Sequence, residues 1–169
     1  IELYASCNII GTQRLLEAAR HAEIAHFIHA STSSVYGKEA TGDEETPLQP
    51  FSPYGLTKLA AENLCRAYEA NFGLPITILR YFSVYGPRQR PDLAIHKFVR
   101  LIDSGQPITM YGDGSSRRDY TYVSDIIDGV VAALDSELEF EIINLGNSNP
   151  IELRRLIELI EDAMGQKAP

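Results

Sequence analysis

Residues 52–86, SPYGLTKLAAENLCRAYEANFGLPITILRYFSVYG, decide how the rest of the chain is read. The first part is written for a helix: Ser52 is a capping residue, Pro53 suits a first turn, a run rich in Ala, Leu and Glu follows, and Gly73 can close the end. The second part, from Pro75 to Gly86, reads as one buried strand of β-branched and aromatic residues. Upstream, HFIHA (26–30) reads as another short buried strand, ending in the polar run STSS (31–34). Strand, long helix, strand is a βαβ unit, which predicts a parallel sheet covered by helices on both faces. Ligands of such sheets sit at the carboxyl ends of the strands. STSS and YFSVYG both fall there and are expected to line one crevice.

Working outward, the chain opens directly in an amphipathic helical pattern, with Ile9, Leu15, Leu16 and Ala19 recurring at helical spacing and no cap or strand ahead of them. Beyond Gly86 the texture changes. The pattern predicts a helix from about Leu93 to Asp103, a short strand ITMYG (108–112), a turn at DGSS, a segment RRDYTYV, a helix over Asp125 to Leu134, a strand EIINLG and a last helix to Met164. These smaller pieces are what a substrate-binding cap beside a sheet requires. Residues 1–86 are therefore assigned to the sheet domain and 87–169 mainly to the cap, with some segments returning to the sheet. Internal repeats and low-complexity segments are absent.

Composition narrows the function. A 169-residue chain with 44% apolar and 22% charged residues can bury a core. A formal charge of -8 argues against nucleic acid as a partner, because phosphate recognition needs clustered Lys and Arg. No run reaches the ~18 apolar residues of a membrane span, and no leader pattern is present, so the expectation is a soluble cytoplasmic protein without a membrane partner. Cys7 and Cys65 read as reduced structural thiols, and His21, His26, His29 and His96 lack metal spacing, so no metal site is expected.

The chemistry centres on Tyr54 and Lys58, four apart and so on one face of the long helix. A tyrosine phenol titrates near 10, and an adjacent ammonium stabilises the phenolate, which makes the pair a candidate acid/base. A third group is wanted to orient a substrate hydroxyl, and STSS supplies candidates.

ASTSSVYG (30–37), SPYGLTK (52–58), LRYFSVYGPRQRPD (79–92), YGDGSSRRDYTYVSD (111–125) and NLG (144–146) together resemble the extended short-chain dehydrogenase/reductase family. The branch they are most similar to is that of the NAD-dependent sugar-nucleotide epimerases and dehydratases, nearest the UDP-glucuronate and UDP-glucose 4-epimerases. The resemblance runs from about Asn8 to Leu159. It implies a Rossmann-like doubly wound parallel sheet, here truncated, with a small C-terminal substrate-binding subdomain, and NAD as cofactor. Tyr54 matches the catalytic base, Lys58 the lysine that binds the nicotinamide ribose, Thr32 the group on the reacting hydroxyl, and Asn8 an asparagine associated with the active site. Ser31, Tyr81 and Phe82 fall beside the cofactor. Ser83 falls beside the sugar diphosphate, Arg118 where a residue grips the diphosphate, and Tyr111 where one covers the nucleotide base. An ion pair of Arg118 with Asp119 or Asp125 is the plain alternative.

The sequence also departs from the family. No GxGxxG or GxxGxxG occurs, so the chain resembles a member lacking its first three or so βα units and a last arginine-bearing segment; alone it is not expected to hold NAD tightly or to turn over. After Thr32 the dehydratases carry an acidic pair and the decarboxylases a glutamate, whereas this chain has Ser33 and Ser34. The resemblance therefore implies 4-epimerisation through a 4-keto sugar. GPRQRPD (86–92) resembles the uronic-acid branch, in which Ser33, Ser34, Ser83 and Arg90 would hold a sugar carboxylate, favouring UDP-glucuronate. If Arg88 and Arg90 are only solvated, UDP-glucose or a UDP-N-acetylhexosamine remains open, as does a non-catalytic assembly module. The resemblance further implies a homodimer through a bundle built from the helices at 8–22 and 52–71, although Leu59, Leu64 and Ala67 could equally face the sheet.

Overall fold

A computed structural model of the chain describes residues 1–38, 43–136 and 138–169. In chain order the elements are α1 (Glu2–Tyr4), a π-helical segment (Ala5–Ile10), α2 (Gly11–His21), β1 (Phe27–Thr32), a 3-10 turn (Ser33–Val35), α3 (Pro53–Phe72), β2 (Ile76–Tyr81), β3 (Ser83–Tyr85), α4 (Ala94–Asp103), β4 (Arg117–Tyr122), α5 (Val123–Leu134), β5 (Phe140–Leu145), β6 (Pro150–Glu152) and α6 (Leu153–Met164). They form two units, Ile1–Phe82 with Ser124–Leu145, and Ser83–Val123 with Gly146–Pro169.

The first unit is a parallel sheet in the order β1-β2-β5. Its middle strand reads ITILRY and is buried from Ile76 to Arg80, as a strand covered on both faces must be. Leu16 and Ala19 of α2, Cys65 of α3, and Leu74, Ile76 and Ile78 make its core. Each fully buried Leu or Ile there contributes roughly 1.5–3 kcal/mol. The predicted boundaries of α3 hold. The Gly55 N–H donates to Ser52 Oγ at 3.0 Å, Pro53 occupies the first turn, and Gly73 closes the helix with φ 64°.

The second unit is built on β4, with β3 parallel on one side and β6 antiparallel on the other. Phe98 and Ile102 of α4 meet Leu156 and Ile160 of α6 in a separate core. The turn at DGSS forms as expected, Asp113 Oδ1 accepting from both the N–H and the hydroxyl of Ser115, at 3.0 and 2.6 Å.

Two sequence expectations change, and β4 and β6 form where no strand is expected. PITILRYFSVYG makes two strands rather than one. At Phe82 the N–H donates to Leu145 O at 3.1 Å, and from Ser83 the backbone pairs instead with Tyr120 in another sheet. Hydropathy runs evenly across that change of partner and cannot reveal it. ITMYG (108–112) is not a strand: Met110 and Tyr111 are exposed and the segment has no ladder among the described residues, and β-propensity does not make a strand without one. β6, three residues opening on a proline, is too short for any period to announce.

One contact decides how α3 approaches β1. A Cβ on Gly55 would lie 2.7 Å from the carbonyl oxygen of Ser34 and 3.1 Å from Pro50 Cβ, so the first turn of α3 sits directly on the 3-10 turn that follows β1. Gly55→Ala is therefore expected to force the two apart and to destabilise the protein by about 1–3 kcal/mol. Urea unfolding of the variant beside the parent checks it.

Candidate active site

Parallel pairing sets Thr32 opposite Tyr81 at the carboxyl ends of β1 and β2. Thr32 is buried, and its Oγ1 both accepts from the Ser34 N–H and donates to Ser34 Oγ, each at 3.2 Å. Ser33 and Ser34 form the 3-10 turn immediately beyond. Because Gly55 rests on Ser34, the N-terminus of α3 brings Tyr54 beside this turn. Tyr54 is 37% exposed, and its ring lies 5.9 Å from that of Tyr4.

Two further ties hold the first turn of α3. Asn8, within the π-helical segment, donates from Nδ2 to Thr57 Oγ1 at 2.9 Å, and Thr57 Oγ1 donates to the Tyr54 carbonyl at 3.0 Å. π segments inside helices are frequent at functional sites because they turn one side chain out of the regular pattern. Lys58 Nζ donates to the carbonyl oxygen of Ala30 in β1.

Electrostatics around Lys58 follow from burial. Burial pushes its ammonium down from the usual lysine range, against the pull of Glu62. Burial and then the Lys58 charge bring His29 on β1 down to about 4. Burial likewise pushes the Cys65 thiol up to about 12, leaving it protonated and unreactive. Burial raises the Tyr81 phenol as well. Ser31, expected beside the cofactor, is buried, and its hydroxyl is bound to Glu62 at 2.5 Å.

The first unit thus brings Asn8, Thr32, Ser33, Ser34, Tyr54, Lys58 and Tyr81 to the carboxyl edge of its sheet, with Phe82 directly after β2. Ser83, Arg90, Tyr111 and Arg118 belong to the second unit. There Ser83 starts β3 opposite Tyr120, and Tyr111 is 80% exposed. Arg118 on β4 is exposed and has no ion pair among the described residues. The buried Asp119 next to it accepts instead from the backbone of Asn147 and Ser148, at 3.1 and 2.8 Å. Arg90 pairs with Asp92 at 2.9 Å in the open.

The sequence reading passed over Glu62 and Arg80, whose side chains are 1% exposed and paired at 2.7 Å. One signal was available: Arg80 stands inside an otherwise apolar strand, and a charge there must have a partner. Tyr36, Thr57 and Gly55 had no comparable signal, since each acts through a contact distant in sequence. No group of three or more His, Cys, Asp and Glu among the described residues is placed to hold a metal ion, and no helix among them is long and apolar enough to cross a membrane.

The profile of the NAD dependent epimerase/dehydratase family matches residues 1–146. The chain belongs to that family. It is 48% identical over 167 residues to a protein of Bacillus subtilis named as an uncharacterized UDP-glucose epimerase, YtcB, covering 98% of this chain and 53% of the relative. To the UDP-glucuronate 4-epimerase of Thermodesulfobacterium geofontis it is 43% identical over 169 residues, 98% of this chain and 52% of that protein. Among solved structures, the UDP-glucuronic acid 4-epimerase of Bacillus cereus, in complex with UDP-glucuronic acid and NAD, superposes with a TM-score of 0.92 at 46% identity, over 97% of this chain and 53% of that one. The mixed α/β fold with a parallel sheet is thus that of Rossmann-like epimerases. The chain spans about half the length of the curated relatives it matches.

The buried imidazole on β1 makes a pH prediction. Above about 6.5 His29 is neutral whether the chain is folded or not; between 6.5 and about 4 the unfolded chain takes up a proton that the fold refuses. Stability is therefore full above pH 6.5 and falls as the pH falls through this window, by about 3 kcal/mol in all. His29→Leu is expected to lose less stability than the parent between about pH 7 and 4.5, measured by urea unfolding at each pH.

Proposed function

We propose that the full-length protein is an NAD-dependent 4-epimerase of a nucleotide sugar, with UDP-glucuronate as substrate. The observation that carries the reading is the gathering of Thr32, Tyr54 and Lys58 at the carboxyl edge of a parallel sheet, followed by Ser33 and Ser34 and no acidic pair. Elimination of water would need an added acid; reversible oxidation at C4 needs only a base and a hydride acceptor.

The donor set fits a nicotinamide ribose. Lys58 carries three N–H donors, of which the Ala30 carbonyl engages one, and Tyr54, Tyr81 and Phe82 stand along the same edge. NAD, when bound, supplies reversible hydride acceptance at C4. Thr32 Oγ1 hydrogen-bonds the C4 hydroxyl, and Tyr54 Oη takes its proton as C4 becomes a carbonyl. The Lys58 ammonium stabilises the negative charge on the phenol oxygen. Once the 4-keto sugar has turned over, the hydride held by bound NAD would return to the other face of C4 while Tyr54 Oη gives the proton back to the C4 oxygen, and the opposite configuration would result. Asn8, through Thr57, holds the turn that presents Tyr54. Arg118, which has no ion pair among the described residues, suits the diphosphate, and the open ring of Tyr111 suits the base.

UDP-glucuronate is favoured by the serines after Thr32, by Ser83, and by Arg90 as a fork for the sugar carboxylate. The Arg90–Asp92 pair favours UDP-glucose as the second reading, because a guanidinium already matched to a carboxylate is less available to another. A homodimer is supported by apolar residues left open on the two long helices, Leu15 at 61% and Leu56 at 55% exposure, with Leu3 and Ile10 in the turns before α2. Leu64 is not among them: it packs on the sheet core.

The test is proton NMR of C4 configuration in full-length protein with NAD and, separately, UDP-glucuronate or UDP-glucose. Conversion of the uronic acid to its galacto form is expected; conversion of UDP-glucose alone would discard the carboxylate site and keep the mechanism. Tyr54→Phe is expected to lower turnover ~100-fold or more, and near-normal turnover would defeat the role given to Tyr54. Light scattering of the full-length protein is expected to give the mass of a dimer.

A further inference from the structure

Tyr54, Lys58 and Glu62 follow one another at intervals of four on α3, so they share a face. The Glu62 carboxylate accepts from Ser31 Oγ at 2.5 Å and from Arg80 Nε and Nη2 at 3.1 and 2.7 Å. Lys58 Nζ donates to the carbonyl of Ala30, the residue before Ser31. Two successive residues of β1 are therefore tied to two successive turns of α3, one through Lys58 and one through Glu62. The guanidinium of the pair leads towards β5: Arg80 Nη1 donates to Tyr36 Oη at 2.8 Å, which donates to Asn144 Oδ1 at 2.7 Å. The carboxylate is thus the end of the pair nearer Lys58.

We propose that Glu62 is a positioning residue for the site: held by Arg80 and Ser31, it sets where α3 lies on β1 and presents the negative charge that faces the Lys58 ammonium. What Lys58 then does rests on the epimerase reading; its placement does not. Among the described residues, the titratable groups facing Lys58 are Tyr54, Glu62 and Cys65 from α3 and His29 from β1, with Arg80 of β2 beyond Glu62. Burial holds His29 neutral and Cys65 as a thiol. Glu62 is then the one of these groups able to offset the desolvation of a half-buried ammonium. Without it, the Lys58 ammonium has no carboxylate to set against its burial, and its midpoint falls further below the usual lysine range.

The experiment is a titration of Lys58 by NMR in full-length protein labelled with ε-carbon-13 lysine, the Lys58 signal being assigned by its loss in Lys58→Arg. Parent, Glu62→Gln and the double variant Glu62→Gln/Arg80→Met are compared. In Glu62→Gln the Lys58 midpoint is expected to fall by about one pH unit, a tenfold rise in its acid dissociation constant. The double variant leaves no buried charge unpaired and is expected to fold even where the single one does not. In it the midpoint moves less but in the same direction, because the lost carboxylate is nearer than the lost guanidinium. A midpoint unchanged or raised in the double variant overturns the proposal, as a purely structural pair would leave Lys58 where it was. The titration needs no turnover. A parent protein that converts no sugar nucleotide would sink the epimerase reading while this measurement still decides the role of Glu62.

Discussion

The ion pair between Glu62 and Arg80 ties α3 to β2 and, through Ser31, Tyr36 and Asn144, to β1 and β5. Taking two charges out of water is costly, and the pair persists because its polar atoms are met: Ser31 on the carboxylate, Tyr36 and the Glu44 carbonyl on the guanidinium. Tyr36 continues to Asn144, whose backbone N–H donates to Glu44 Oε1 at 2.6 Å. One connected network therefore spans α3, β1, β2, β5 and the segment after the 3-10 turn. Such a pair adds little net stability compared with an apolar replacement, but removing one partner leaves a buried charge. Its consequence is placement: α3 has few alternative settings on the sheet.

Placement is what the candidate site requires. A tyrosine works as a base only within hydrogen-bond reach of the proton it takes. Tyr54 is on a helix N-terminus and Thr32 at a strand end, joined by no covalent path shorter than 22 residues of chain. The contact of Gly55 with Ser34, the Asn8–Thr57 tie and the Lys58–Ala30 hydrogen bond all act on the same turn of α3. The apolar core beneath supplies stability, and the polar ties set the geometry.

The second unit obeys a different logic. Its arginines 117 and 118 stand exposed on β4, while Asp119 beside them is turned inward to bind two backbone N–H groups. Alternation along the strand turns Arg118 and Asp119 to opposite faces, so a cation on one residue and a structural carboxylate on the next do not neutralise each other. An acidic chain can in this way keep an exposed cation at Arg118.

Much of this was legible in sequence for a physical reason: caps, helical periodicity and runs of β-branched residues are local properties. The span and caps of α3, strands at 26–30 and 141–146 that the structure sets at 27–32 and 140–145, the parallel βαβ unit and the Tyr54–Lys58 pair were read from residues near one another. The change of sheet at Phe82, the missing strand at 108–112 and the short β6 depend on which backbone lies alongside, and no local signal carries that. The same limit applied to the site. The residue types of the reaction could be named in sequence, but their supports could not: Glu62 on Arg80 and Ser31, Asn8 on Thr57, and Gly55 against Ser34 are contacts across 18 to 49 positions, decided only when the chain packs.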